Sequence, residues 1–263
     1  MDIIATELND LGLFAYNAGE LYCFTGNHFV KTDSVLRTYA NQLHSTVSAD
    51  DIILAHYTLF SGIDTEFNNN RGLIAFTNCV YDIHEKTFRT GRPSDKITIV
   101  TGYHYTEPSN DHVNEVHEYL ERILPVKSIQ NIMTHSGVSF WLGSGNNGKT
   151  TLLVCVELAL GGCLGSIPAR FLTDKKRREI PSGVHIISVD EADTNVAMRY
   201  ENLVRVSSHA PVIMIGNVIP KFNYQPEGFP RVVNFENTVG GKPNSRLPGH
   251  LDRSALFKVL MDC

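Results

Sequence analysis

The sequence predicts an α/β chain in two parts. A mostly parallel sheet flanked by helices is expected over residues 111–263, preceded by a small α+β domain over residues 1–110. Three observations predict this. From Val138 onward the short apolar runs VSFWL, VHIISV, PVIMIG and RVVNF alternate with helix-forming stretches, as core strands of a parallel sheet do. The first of these runs leads straight into Gly143-Ser-Gly-Asn-Asn-Gly148-Lys149-Thr150, which satisfies G-x-x-x-x-G-K-[ST]. Upstream of that region, hairpin and helix signals follow one another without the repeating strand–helix pattern.

Taken in order, LYCFTGNHFV places two aromatic-rich runs around a Thr-Gly-Asn turn and predicts a β-hairpin. Asp33 or Ser34 can cap a helix that carries Val35, Leu36, Tyr39 and Leu43 on one side. A second helix is expected from Asp50 to Phe60. NNNRG breaks the pattern, and GLIAFTNCVYDIHEKTFRTG reads as strand, turn and strand. The polar, proline-containing TEPSNDH, Thr106 to His112, is the expected linker. Val113, Val116, Leu120 and Ile123 then fall at helical spacing. After the glycine-rich loop a helix is expected from Thr151 to Leu160, stopped by Gly161-Gly162.

Hydrophobic residues make up 42% and charged residues 19%, as in ordinary folded proteins. A net charge of −5 argues against a broadly basic nucleic-acid coat, while leaving room for a local basic track. The five cysteines (Cys23, Cys79, Cys155, Cys163, Cys263) are scattered without a CxxC pair. A zinc site or disulfide framework is therefore not expected, and a reducing compartment fits better. No apolar run reaches the ~18–20 residues of a membrane span, and MDIIATELND lacks the layout of a signal peptide. A soluble, intracellular protein is expected.

The glycine-rich loop carries the chemistry. Glycines allow the backbone of Gly143, Ser144, Gly145, Asn146, Asn147 and Gly148 to curl with N–H groups pointing at phosphate oxygens. Lys149 is placed to reach β- and γ-phosphates, Thr150 to bind Mg²⁺, and Thr151 to open a helix whose positive end faces the anion. The cofactors expected are therefore ATP and Mg²⁺. In VHIISVDEAD an apolar strand ends in two acids. Asp190 would hold Mg²⁺ through water, and Glu191 would orient or deprotonate the attacking water. Taken alone, this is also how a buried strand meets a solvated acidic loop. Asn217, at the end of PVIMIG, can bond a γ-phosphate or the lytic water, although a lone asparagine there is more often a turn former. Arg231, after GFP, is either a surface charge or a residue that reaches a neighbouring subunit's nucleotide.

These elements together resemble the superfamily 3 helicases, and within them the poxvirus-type primase-helicase family of large DNA viruses, shared with phage and plasmid relatives. GSGNNGKTTL resembles that family's phosphate loop, SVDEAD its acidic strand, IGNVIPKF its sensor strand and EGFPRVVNF its finger segment. LIAFTNCVYDIHEKTFRTGRPSDKITIVTGYHY is similar to its pre-helicase module, so the likeness covers most residues from about 70 to 235. The resemblance implies a P-loop NTPase fold of AAA+-like type. It also implies a homo-hexameric ring that hydrolyses ATP between subunits, with Lys149, Glu191, Asn217 and Arg231 catalytic, and that draws single-stranded or forked DNA through its centre. Other replication proteins are implied as partners, and a membrane is not. The finger segment carries one arginine where the family usually has two. ADTNVAMRYENLVRVSSHA stands where a longer DNA-gripping segment is usual and offers Arg199, Arg205 and His209. The C-terminal helical lid is expected to be shortened. No h-h-D-x-D strand signature is present, so primer synthesis is not assigned.

The basic run Lys175, Lys176, Arg177 and Arg178 is a candidate DNA contact, as are Lys242 and, favoured because it follows the sensor strand, Lys221, against the plainer reading of solvated loops. Tyr103 and Tyr105 can stack on a base or face a core, and Trp141 reads as packing. His104, His112 and His117 share a region without metal-ligand spacing. Three function classes remain: a helicase that hydrolyses ATP, a nucleotide-binding assembly module that has lost unwinding, and a P-loop kinase. The kinase reading lacks a visible arginine-rich lid after Leu160.

Overall fold

The computed structural model describes residues 2–43, 47–123, 137–143, 148–173, 180, 183–189, 197–223, 231–235 and 248–262. The chain divides into two compact units, Met1–His104 and Tyr105–Cys263.

In the first unit, β1 (Phe14–Asn17), β2 (Glu20–Phe24) and β3 (Phe29–Lys31) form an antiparallel sheet in that order. Phe14 and Tyr16 alternate inward with period two, and Cys23 joins them from β2. Helices α1 (Asp2–Asp10), α2 (Ser34–Leu43) and α3 (Ala49–Phe60) close the core, which holds Leu8, Phe14, Cys23, Leu36, Ala40 and Ile52. The expected hairpin and both expected helices are present. The next segment departs from the sequence expectation of two strands. It forms three, β4 (Leu73–Ala75), β5 (Val80–Asp82) and β6 (Thr87–Arg89), all antiparallel. The Phe76 N–H bonds the Cys79 carbonyl and turns the chain after β4. Asp82 then accepts the His84 and Glu85 N–H groups, and Lys86 takes φ +52°, turning it again after β5.

Two polar devices pin the stretch RPSDKIT to this unit. The Arg89 guanidinium forks onto both carboxylate oxygens of Asp95 at 2.8 Å, and Asp95 also accepts the Arg92 N–H. Asn68, at φ +59°, accepts the Thr98 and Ile99 N–H groups and donates to the Thr98 hydroxyl. Gly91 bonds the Asn27 side chain, and the Asn27 backbone lies so close that a Cβ there has no room. Tyr103 packs edge-on against Phe76.

In the second unit, Ser109 caps α4 (Asn110–Glu121) by accepting the His112 N–H. The sheet is five-stranded and wholly parallel, in the order β11 (Arg231–Asn234), β7 (Val138–Leu142), β10 (Val212–Gly216), β9 (Ile186–Val189), β8 (Leu164–Ile167). The α/β class is as the sequence predicts. β8 was not expected, because LGSI is four residues long with two of them small. Helix α5 (Lys149–Leu160) buries Leu152, Cys155, Val156, Ala159 and Leu160, one continuous face at helical spacing. It packs against α8 (Arg253–Asp262), which also meets α4. Seven of the ten residues of α8 are buried, and the Arg253 guanidinium bonds the Leu158 carbonyl near the α5 carboxyl end. Tyr105 is buried edge-on against Phe257, so both tyrosines pack rather than stand free. Helix α6 (Arg170–Thr173) packs on α7 (Tyr200–Ser207).

Candidate functional site

Gly143 and residues 148–151, the described ends of the expected phosphate loop, lie beyond the carboxyl end of β7, where α/β sheets place ligands and strand order reverses. The chain leaves β7 for β8 at one sheet edge, steps back through β9 to β10, and then crosses β7 to β11. The crevice between β7 and β10 is that reversal point.

At the end of β7 the chain passes Gly143 and re-enters the described residues at Gly148. Ser144, Gly145, Asn146 and Asn147 lie outside them. Gly148 is the N-cap of α5 at φ +89°, and a Cβ there would drive into the Ile123 side chain. Only glycine satisfies both conditions. Having no side chain, Gly148 leaves the first-turn N–H groups of α5 without the usual capping oxygen, which suits this helix end to an anion. The Lys149 side chain is only 5% exposed, and its ammonium donates to the Gly143 carbonyl at 2.7 Å, bridging the two ends of the loop. A buried ammonium is costly unless it meets acceptors, and this placement holds it over the end of β7. Thr150 is exposed and Thr151 half-buried on the same turn. Trp141 is fully buried and packs on Phe235, as expected of a packing residue.

β10 runs beside β7 in register, Gly216 opposite Leu142. Asn217 and Gly143 are each one residue further on, so the exposed Asn217 stands at the level of the loop's entrance. The acidic strand β9 lies on the far side of β10, Val189 opposite Met214. Asp190 and Glu191 follow Val189 and lie outside the described residues. Strand order therefore interposes β10, with Asn217 at its tip, between the phosphate-loop strand and the acidic strand.

Arg231 is elsewhere. It opens β11 opposite Ser139, and β11 reaches Leu142 only at Asn234. Three residues of strand, roughly 10 Å, separate Arg231 from the level of the loop, at the amino-terminal end of the sheet. It does not join this chain's own loop.

Among the cations proposed for DNA, Lys221 is exposed on the segment after β10, and Lys175, Lys176, Arg177, Arg178 and Lys242 lie outside the described residues. The others are engaged locally. Arg199 bonds Glu201 through Nε and Nη2, Arg205 sits over the Phe171 ring at 5.6 Å, and His209 Nδ1 is 2.8 Å from the Arg205 carbonyl. The Glu201 carboxyl is held below its usual range by its own backbone N–H, then by Asn223 and Arg199. Asn223 is a residue that sequence reasoning missed. It bonds Tyr200 and Glu201, more than twenty positions away, and no local pattern signals such a contact. Burial pushes the Cys155 thiol up to about 12, which marks it as core and not nucleophile.

The described residues contain no group of three or more His, Cys, Asp or Glu side chains placed to hold a metal ion. The donor set at the loop nonetheless fits a magnesium polyphosphate: a buried ammonium, an uncapped helix start, and an exposed Thr150 hydroxyl on its first turn. No helix among the described residues is long and apolar enough to cross a membrane.

Comparison with known proteins adds the following. Residues 36–125 match the family model described as D5 N terminal like, a span running from α2 through α4. The chain is 32% identical over 123 residues to "Putative helicase L207/L206" of Acanthamoeba polyphaga mimivirus, covering 41% of this chain and 13% of that protein. It is 30% identical over 130 residues to "Putative helicase 184R" of Invertebrate iridescent virus 6, covering 43% of this chain and 13% of that protein. The matches thus take in only a small fraction of these relatives' length. The apo structure of the NrS-1 C terminal region (A form) superposes with a TM-score of 0.47 at 9% identity, covering 98% of this chain and 68% of that one. The expected likeness to primase-helicases of large DNA viruses is therefore found over part of the chain: residues 36–125 match the D5 N terminal like model, and the sequence is similar to putative helicases of such viruses.

Proposed function

We propose that this chain is the ATP-hydrolysing part of a superfamily 3-type DNA helicase acting in viral or mobile-element replication. In this reading residues 1–110 are the pre-helicase domain and residues 111–263 the ATPase domain. The observation that carries it is the buried Lys149 ammonium folded back onto Gly143 beside the uncapped start of α5. The names of the viral relatives support the helicase assignment.

Bound ATP with Mg²⁺ would supply a γ-phosphoryl group activated for transfer to water. Lys149 and the backbone N–H groups of the loop would hold the phosphates, and Thr150 and Asp190 the metal. Glu191 would orient or deprotonate the attacking water, and Asn217 would bond the γ-phosphate or that water. Arg231, remote from its own loop, would serve a neighbouring subunit in a homo-hexamer. Lys221 and the run Lys175–Arg178 would meet single-stranded or forked DNA. Lys149→Ala is expected to abolish phosphate release and strand displacement; unchanged rates of both would refute the proposal.

A second reading, an assembly module that binds nucleotide without unwinding, is favoured by one observation. Arg199, Arg205 and His209, the cations of the segment where a DNA grip is expected, are all held in local contacts. Hydrolysis without strand displacement would select it.

A further inference from the structure

Helix α7 begins without a cap of its own. Its N-cap residue is Arg199, which has no acceptor to offer, and no side-chain cap bond forms there. The missing acceptor comes from Asn223, on the segment that leaves β10. Its Oδ1 accepts the Tyr200 N–H at 2.8 Å, and its Nδ2 donates to Glu201 Oε2 at 3.1 Å. The other oxygen of Glu201 holds Arg199. The backbones are stitched at the same place. Met198 N–H bonds the Lys221 carbonyl at 2.8 Å, Asn223 N–H bonds the Met198 carbonyl at 3.0 Å, and Met198 and Phe222 form a parallel bridge. The Phe222 ring meets Phe140 of β7 edge-on at 6.1 Å.

The chain that has left the acidic strand β9 is thus fastened, through Met198–Glu201, to the chain that has just left β10 past Asn217. We infer that Asn223 is a positioning residue for the proposed hydrolysis: its amide locks the segment that follows Asn217 onto the start of α7, and so holds Asn217 in place at the tip of β10. The inference rests on the ATPase reading. Asn223 itself touches no reacting group. Its two ends do different work, since the oxygen caps a helix and the nitrogen reads a carboxylate, so neither an aspartate nor an alanine reproduces it.

The test uses Asn223→Ala, Asn223→Asp and the double variant Asn223→Asp/Glu201→Gln, in which the donor and acceptor are exchanged. Amide hydrogen exchange without nucleotide reads the lock directly. The peptide spanning Met198–Asn202 should exchange faster in both single variants and return toward the wild-type rate in the double variant. With ATP, kcat should fall roughly tenfold in Asn223→Ala, while the nucleotide Kd and the melting temperature stay near wild type, and the double variant should recover turnover. Unchanged exchange and turnover in Asn223→Ala, with an active wild type, overturns this inference alone. Parallel losses of kcat, affinity and melting temperature that the double variant does not recover make Asn223 a folding contact and overturn it too. A wild-type chain that neither binds nor hydrolyses ATP overturns the parent reading along with it.

Discussion

Single side chains in this molecule show how burial decides chemistry. His56 is fully buried among Phe14, Tyr16 and Phe60, with Nδ1 2.8 Å from the Tyr16 hydroxyl. Burial pushes its pKa down to about 4 from an ordinary 6.5. Folding therefore disfavours the proton that the unfolded chain accepts. The stability contributed by the neutral ring is complete above pH 6.5 and is lost as pH falls from there toward 4. His28, lowered by burial as well, acts in the same sense. Thermal melts of the wild type should drop steeply across that interval, and His56→Gln should flatten the drop; an identical slope in the variant would show that His56 does not carry it. The contrast with Lys149 is instructive. Both are buried basic groups, but Lys149 lies at a loop that sequence alone identifies, because Gly143 to Thr150 are contiguous and each type has a stated task. The partnership of Asn223 with Tyr200 and Glu201 had no such signature, since it joins segments that only the folded sheet brings together.

At the level of elements, periodicity was informative wherever a segment was long enough to display it. Helices α2, α3, α4 and α5 and strands β7, β9, β10 and β11 all follow the apolar spacing read from the chain. The failures are short. β8 has too few apolar residues to announce a strand, and β5 was hidden inside what looked like a turn. Both are set by pairing with neighbours that propensity does not see. Of the two devices that pin RPSDKIT, the Arg89–Asp95 ion pair makes the sharper energetic prediction. Burial alone would raise the Asp95 carboxyl, but the Arg89 fork and the Arg92 N–H outweigh it and hold the group below the carboxylate range. The Asp95 side chain is 8% exposed, so removing Arg89 strands a largely buried charge. Arg89→Met should cost about 3 kcal/mol in chemical denaturation. A change within a few tenths would mean that water replaces the guanidinium without penalty. Arg89→Lys should recover only part of the loss, because a point charge lacks the planar fork.

For the whole molecule, strand order is the decisive fact. A wholly parallel sheet ordered β11-β7-β10-β9-β8 brings the phosphate loop and Asn217 to one end and consigns Arg231 to the other. Four of the five strands of this sheet are legible in the sequence, all but β8, but which strands are neighbours depends on how the chain crosses the sheet. Under the proposed function, this separation leaves Arg231 to serve another copy. Arg231→Ala should bind ATP normally and lose turnover by roughly 10³-fold. Mixing it with Lys149→Ala should restore part of the activity, since some interfaces then combine an intact loop with an intact arginine. Normal hydrolysis by Arg231→Ala, or no recovery on mixing, would remove the arginine from the mechanism.

The proposed function stands on the segment from Gly143 to Thr150, with Lys149 bridged to Gly143, holding a nucleoside triphosphate. Titration calorimetry of the chain with magnesium ATP, run beside Lys149→Ala, tests it most directly. Saturable one-site binding by the wild type is expected, with at least a tenfold weaker affinity, about 1.4 kcal/mol, in the variant. Absence of binding by the wild type at millimolar ATP, or equal affinity in the two proteins, would contradict it.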